Sequence, residues 1–194
     1  MAIKITYGDL RIADIIVSTT GANISAAIRS AIGSDISHAA LFTKPNYIIE
    51  AIGEGVKEHR IEEALKEDTL ALALRRTHMT DEQRKKVVEA AEQFAGREYD
   101  KIGAAGSGMT SKRGSLLGIA GCMLSPIACG VTASEISSNA SDENKDKKFF
   151  CSELVARAFQ LAGVPIVDGE PTFTNPRAIR TSSRLIYIGH LIGG

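Results

Sequence analysis

The chain has 194 residues, of which 44% are hydrophobic and 24% are charged, enough to build one ordinary globular domain with a substantial core. Its 23 Lys and Arg residues balance its 23 Asp and Glu residues, so no overall basic field attracts nucleic acid, and we expect no nucleic-acid partner. We therefore expect a single domain over residues 1–194.

The N-terminal segment, residues 1–8, lacks the apolar run and the small-residue cleavage site of a secretory signal. We expect a protein that is cytoplasmic as synthesised, with leaderless secretion as the route if it is exported.

The first half of the chain alternates predicted strands with short helices. Asn23 is the expected cap of the first helix, and the composition of residues 43–46 suits a hairpin connection between two strands. The apolar patterns predict strands at 12–17, 37–42, 47–51 and 69–75 and helices at 23–32 and 61–66.

A longer helix follows, and its start is marked by Thr80 and Gln83, which have the spacing of a capping box. Apolar residues recur at helical spacing after this box, and Gly96 is placed to end the helix.

The segment from about 102 to 148 has a different composition, rich in Gly, Ser and Ala, and we interpret it as an insertion. Its apolar part, 116–131, is shorter than the ~20 apolar residues that span a bilayer and contains Pro126. The pattern favours a helical hairpin or a lid, with membrane contact through 116–131 as the alternative.

An amphipathic helix is predicted after the insertion, with Cys151 in its first turn and Gly163 at its end. Residues 185–188 predict a closing strand. The fold class is therefore α+β, with one antiparallel sheet packed against helices.

The cysteines are the first candidates for chemistry. Cys122, Cys129 and Cys151 are too few for a disulfide framework, and their odd number leaves at least one free thiol in the monomer. No Cys-x-x-Cys or His-x-x-x-His spacing occurs, so we expect neither a metal nor a cofactor. The start of a helix favours the thiolate, which makes Cys151 the candidate nucleophile, whereas a buried structural cysteine is the alternative.

A thiol nucleophile requires a base, and His38 is the histidine that lies inside a predicted strand. If the hairpin has a three-residue loop, Phe42 faces Asn46 and His38 falls directly opposite Glu50. A carboxylate there would fix the imidazole tautomer, so that the other ring nitrogen can take the thiol proton. An ordinary strand-end carboxylate is the alternative for Glu50. We interpret the remaining histidines, His59, His78 and His190, as surface residues.

Five blocks of sequence then occur in a fixed order. They are Gly8-Asp9 before a strand, Ser37-His38-Ala39-Ala40-Leu41, Ile48-Ile49-Glu50-Ala51 followed by Gly55-Val56, Gly96-Arg97-Glu98-Tyr99-Asp100, and Cys151-Ser152-Glu153-Leu154-Val155. With these blocks the chain resembles the permuted NlpC superfamily of papain-fold cysteine hydrolases, in particular its YiiX/YebB-like branch.

The resemblance implies a circularly permuted papain-like fold with Cys151 as nucleophile, His38 as base and Glu50 as the residue that orients the base. It also implies that Tyr99 lines the site near the oxyanion, with a core-edge tyrosine as the alternative. The chain departs from the pattern in two respects: Glu98 stands where a proline is often found, and the gap from Tyr99 to Cys151 is long.

Amide hydrolysis through a thioester acyl-enzyme is the expected activity, with a peptide as substrate. The resemblance implies bacterial cell-wall peptide, which a leaderless delivered effector would reach. Two alternatives remain open: a thiol-dependent lipid acyl hydrolase or acyltransferase, and a non-catalytic binding module.

Overall fold

The computed structural model describes residues 2–99 and 148–192. Its strands are β1 (Lys4–Ile5), β2 (Ile15–Thr20), β3 (His38–Lys44), β4 (Tyr47–Ile52), β5 (Gly55–Arg60), β6 (Asp68–Arg76), β7 (Glu98–Tyr99), β8 (Lys148–Phe149) and β9 (Leu185–Leu191). Its α-helices are α1 (Asn23–Ile32), α2 (Ile61–Ala64), α3 (Asp81–Glu92), α4 (Cys151–Leu161) and α5 (Pro176–Arg180).

Seven of the described strands form one sheet in the order β1-β9-β6-β2-β3-β4-β5. Its ladders are antiparallel except that β1 pairs with β9 in parallel, so the prediction of a wholly antiparallel sheet is wrong at this edge. The parallel strand has only two residues, which is too short for an alternating pattern to reveal it. The described fold is thus α+β with a mixed sheet, and β7 and β8 form a separate parallel pair.

The two faces of the sheet bury separate apolar clusters because successive side chains of a strand point to opposite sides. One face packs against α3 and α4, and the other is covered around Ile61 of α2. The first cluster takes alternate strand residues such as Val17, Leu41 and Ile49, and the second takes their neighbours Ile16, Phe42 and Ile48. Helix α4 is thereby fixed against the centre of the sheet.

The longer predicted elements occur in the structure. The capping box of Thr80 and Gln83 is confirmed, since each side chain bonds the backbone of the other residue at the start of α3. The predicted cap of α1 is wrong: Ala22, and not Asn23, occupies the cap position, and no side chain caps this helix. The closing strand continues to Leu191, three residues beyond its predicted end at Ile188.

The β3–β4 hairpin is confirmed, but its predicted register is wrong by two residues. Phe42 pairs with Ile48 rather than with Asn46, so His38 is not directly opposite Glu50. Because the shift is an even number of residues, both side chains remain on the same face of the sheet.

The turn explains the shift in register. Lys44 pairs with Tyr47, so the loop has two residues instead of three, and a bulge takes up Thr43. Asn46 completes the turn with a positive φ of 67°, which asparagine tolerates better than most residues.

Strand β5 was not predicted, and Gly55 at its start has a backbone that few other residues could adopt. Its φ is 107°, and a Cβ at this position would lie 2.5 Å from the carbonyl oxygen of Arg97. The close approach lets Val56 donate to the Arg97 carbonyl and accept from the Gly96 N–H. The segment before β7 is therefore bound to the outer edge of β5.

The predicted insertion at 102–148 lies outside the described residues except for Lys148. Its predicted hairpin or lid, and the single-domain organisation of residues 1–194, stay predictions. In the two described ranges, no helix combines the length and the apolar character that crossing a membrane requires.

Candidate active site

Cys151 is the first residue of α4 and only 5% of it is exposed. The first N–H groups of a helix have no partner within the helix and favour negative charge nearby. Backbone groups of Ser152, in the same turn, and of Ala39, in β3, hydrogen-bond the Cys151 sulfur. The predicted position of Cys151 in the first turn of a helix is confirmed.

The pKa of the Cys151 thiol is the result of opposing effects. Burial raises it, whereas the charge and the hydrogen bond of His38 lower it, together with the two backbone hydrogen bonds. The sum lowers the pKa of Cys151 from its usual value, which increases the fraction of thiolate at neutral pH.

His38 is the first residue of β3, and 25% of its side chain is exposed. The described β3–β4 ladder ends at the Leu41–Ile49 pair, before it reaches His38. Helix α4 packs against both strands. The start of β3 therefore faces the start of α4, which brings His38 and Ala39 to the Cys151 thiol.

Glu50 holds the other side of the His38 ring. Its Oε2 atom bonds His38 Nε2, and only 5% of the residue is exposed. With Nε2 engaged in this way, Nδ1 is the ring nitrogen left for the thiol. The prediction that His38 and Glu50 form a pair is confirmed, although their register differs from the expected one.

The pKa values of both partners respond to this contact. Burial lowers the pKa of His38, but the charges of Cys151 and Glu50 and their hydrogen bonds outweigh it and raise the pKa well above its usual value. Burial raises the pKa of Glu50, but His38 and His59 outweigh it and bring that pKa to about 2. The geometry thus favours a thiolate, an imidazolium and a carboxylate side by side.

His59 is a member of the site that the sequence analysis placed on the surface, and this prediction is wrong. Its Nε2 atom lies 2.5 Å from Glu50 Oε1, and 20% of its side chain is exposed. The ladder pairs His59 with Ile48 and Glu50 with Lys57, so His59 is diagonal to Glu50 on one face. A prediction of strand β5 would have indicated this contact. In contrast, His78 is exposed, as predicted.

Tyr99 is paired through its backbone with the segment that precedes Cys151. It is the last residue of β7 and pairs with Phe149 of β8, two residues before Cys151. The ends of the long gap between Tyr99 and Cys151 are therefore adjacent in the described structure. The Tyr99 side chain lies outside what the structure describes, so its role near the oxyanion stays a prediction.

Further contacts anchor the first turn of α4. Ser152 donates a hydrogen bond to the carbonyl oxygen of Thr174 at 2.7 Å, and Thr172 donates one to Glu153 at 3.1 Å. Thr172 and Thr174 both belong to the 171–174 segment, and their partners Ser152 and Glu153 are buried. This segment fixes the helix start that carries Cys151.

A metal site is not evident in the described part of the chain. Within residues 2–99 and 148–192, no group of three or more His, Cys, Asp or Glu residues has a geometry that could hold a metal ion. Glu50 instead uses its two oxygens on two separate imidazoles.

Comparison with known proteins relates this site to a family. The model of the family described as "Permuted papain-like amidase enzyme, YaeF/YiiX, C92 family" matches residues 9–105, half of the chain. The match includes His38, Glu50, His59 and Tyr99, and Cys151 lies beyond it. The expected permuted papain-like relationship is confirmed at this level, whereas the NlpC affiliation stays a prediction.

Two relatives extend over nearly the whole chain. The probable lipoprotein peptidase YaeF of Escherichia coli is 27% identical over 98% of this chain and 74% of its own length. The crystal structure of the metalloprotein YiiX of Escherichia coli O157:H7 aligns with a TM-score of 0.62 over 92% of this chain and 96% of that one. At 19% identity, the second likeness concerns the fold alone. By its match to the family model, the chain belongs to the C92 family of permuted papain-like amidases.

Proposed function

We propose that this protein is a cysteine amidase or peptidase in which Cys151 is the nucleophile, His38 the general acid and base, and Glu50 the residue that orients His38. The observation that carries the proposal is the contact chain from Glu50 through His38 to a thiol at a helix start. The amidase description of the family supports the same reaction class.

In the acylation step, the Cys151 thiolate attacks the carbonyl carbon of an amide and forms a C–S bond. The imidazolium of His38 gives its proton to the leaving nitrogen as the C–N bond breaks, and a free amine departs. The product is a thioester between the acyl group and Cys151.

In the deacylation step, His38 takes a proton from water, and the resulting hydroxide equivalent attacks the thioester carbonyl. The C–S bond breaks, the carboxylic acid leaves, and the thiolate and the imidazolium are restored. Glu50 keeps the same ring orientation in both steps because it is bonded to the ring nitrogen that does not exchange protons with the thiol.

The negative oxygen of the tetrahedral intermediate requires hydrogen-bond donors. The backbone N–H of Cys151 is at the first position of α4, where helix geometry leaves it without an intrahelical partner. We assign this N–H to the oxyanion, and Tyr99 is the proposed second donor.

A peptide amide is the substrate class that the family relationship favours. Bacterial cell-wall peptide and leaderless delivery stay predictions, as does a cytoplasmic location. The alternative of a lipid acyl hydrolase or acyltransferase depends on the apolar segment 116–131, which lies outside the described residues. No contact in the described part of the chain favours this alternative.

The test is hydrolysis of a panel of peptide amides by the native protein and by the variants Cys151→Ala and His38→Ala. We expect turnover by the native protein, a thioester adduct on Cys151 by intact-protein mass spectrometry, and loss of turnover in both variants with unchanged circular dichroism. Turnover retained by folded Cys151→Ala would contradict the proposal.

A further inference from the structure

Glu50 is shared by two imidazoles that come from two different strands. Oε2 bonds Nε2 of His38 in β3, and Oε1 bonds Nε2 of His59 in β5. The mechanism proposed above uses the first contact and leaves the second without a role.

We infer that His59 is a positioning residue for the proposed reaction, which acts by holding the Glu50 carboxylate in the orientation that binds His38. This inference rests on the proposed function of the site. His59 makes no contact with the thiol among those described, so its effect on the reaction passes through Glu50.

The Glu50 carboxylate needs such a partner for two physical reasons. The terminal torsion of a glutamate side chain is broad, so that one hydrogen bond alone does not fix the plane of the carboxylate. Glu50 is also buried, and an oxygen without a hydrogen bond in that environment would be strongly unfavourable. A donor on Oε1 satisfies that oxygen and leaves Oε2 directed at His38.

Lys57 is the other donor close to Glu50, since the ladder places it directly opposite. Its Nζ atom, however, bonds Glu54 at 2.6 Å. Of the described donors on β5, it is thus His59 that binds Glu50.

The surrounding structure holds His59 in place. It pairs with the buried Ile48 in the β4–β5 ladder, and the buried Ile61 follows two residues later. At the other end of β5, Val56 exchanges two backbone hydrogen bonds with the 96–97 segment. The imidazole is therefore presented from a strand that is fixed at both ends.

The test compares His59→Leu, which removes the donor, with His59→Gln, whose amide N–H can replace Nε2–H. The probe is the rate of alkylation of Cys151 by iodoacetamide at pH 6, measured by mass spectrometry of the Cys151 peptide. We expect His59→Leu to slow alkylation about tenfold, as for loss of one hydrogen bond to a charged group, and His59→Gln to restore most of the rate. His190→Leu is the matched control, and its rate should equal that of the native protein.

A second arm separates positioning from general destabilisation. In a Glu50→Ala background, His59→Leu should slow alkylation no further, because the group through which it acts is absent. Equal rates for His59→Leu and the native protein, or an equal loss in both backgrounds, would overturn the inference. The variant His38→Ala distinguishes a failure of the proposed function from a failure of the role of His59. If His38→Ala leaves the alkylation rate unchanged, the proposed function itself fails. If the rate depends on His38 but not on His59, only the role of His59 is refuted.

Discussion

The Cys151 thiol is buried, and the groups that lower its pKa are one imidazole and two backbone hydrogen bonds. Burial without these contacts would raise the pKa and make the thiol inert. The difference between a structural cysteine and a nucleophile at this position therefore depends on His38. His38 in turn depends on Glu50, which is bonded to the opposite side of its ring.

Glu50→Gln should reduce amide hydrolysis about tenfold, whereas Cys151→Ala and His38→Ala should abolish it. An amide has only one acceptor oxygen, so glutamine can accept from one of the two imidazoles and must present its NH₂ group to the other. The measurement is kcat for the three variants on one peptide amide. A Glu50→Gln variant as active as the native protein would show that the carboxylate does not contribute.

Cys151, His38 and Glu50 could be named as candidates from the sequence because each has a local reason for its position, and the structure brings the three side chains together. Cys151 begins an amphipathic pattern, and the two others lie in β-type runs on either side of a turn composition. The error in the predicted register did not separate His38 from Glu50, since a shift by two residues keeps both side chains on the same face of the sheet. His59 was missed because its contact depends on a third strand that the pattern did not reveal.

Strand β5 is difficult to predict because most of its residues are polar. Four of its six residues, Lys57, Glu58, His59 and Arg60, are charged or titratable, and only Val56 and Gly55 are buried. An edge strand needs no apolar alternation, and its polar side chains face solvent or, for His59, another polar group. The central strands β2, β3, β4 and β6 are recognised from the sequence because they are largely apolar and buried, although β2 lies at Ile15–Thr20 rather than at the predicted 12–17.

Gly55→Ala should destabilise the protein by about 1–3 kcal/mol, because a positive φ and a clash with the Arg97 carbonyl are combined at one residue. Gly53→Ala is the matched control two residues away, since a Cβ there would have no neighbour within 4 Å. Urea unfolding at neutral pH measures both effects. Equal free energies of unfolding for the two variants would contradict this account of how β5 is fixed.

At the scale of the whole molecule, the site makes stability depend on pH. The pKa of Glu50 is about 2 in the folded protein, compared with its ordinary value of 4.5, so the carboxylate favours folding above pH 4.5. This contribution is lost as the pH falls from 4.5 towards 2. At neutral pH it corresponds to about 3 kcal/mol.

The native protein should therefore lose about 2 kcal/mol more stability than Glu50→Gln when the pH is lowered from 6 to 3. Glutamine does not titrate, so the other carboxylates contribute similarly in both proteins and cancel in the difference. Urea unfolding at the two pH values gives the comparison. Parallel losses in the two proteins would mean that the Glu50 pKa is not lowered by folding.

Along the chain, the proposed base precedes the proposed nucleophile, an order that is compatible with membership in a permuted family. His38 and Glu50 come from one hairpin, and Cys151 comes from a helix more than 100 residues later. The sheet brings them together because α4 packs on β3 and β4. The packing of α4 on the β3–β4 hairpin could not be predicted from the periodicity of the sequence, and only the resemblance to a known family implied that Cys151 and His38 meet.

The proposed Cys151–His38 pair can be tested by the pH dependence of Cys151 alkylation. It is measured in the native protein and in His38→Ala, with mass spectrometry to separate Cys151 from Cys122 and Cys129. We expect the native thiol to react below about pH 7 and the pKa of the thiol to be higher in His38→Ala, because His38 no longer opposes the effect of burial. A Cys151 that is inert below pH 7, or equally reactive in both proteins, would contradict the Cys151–His38 pair.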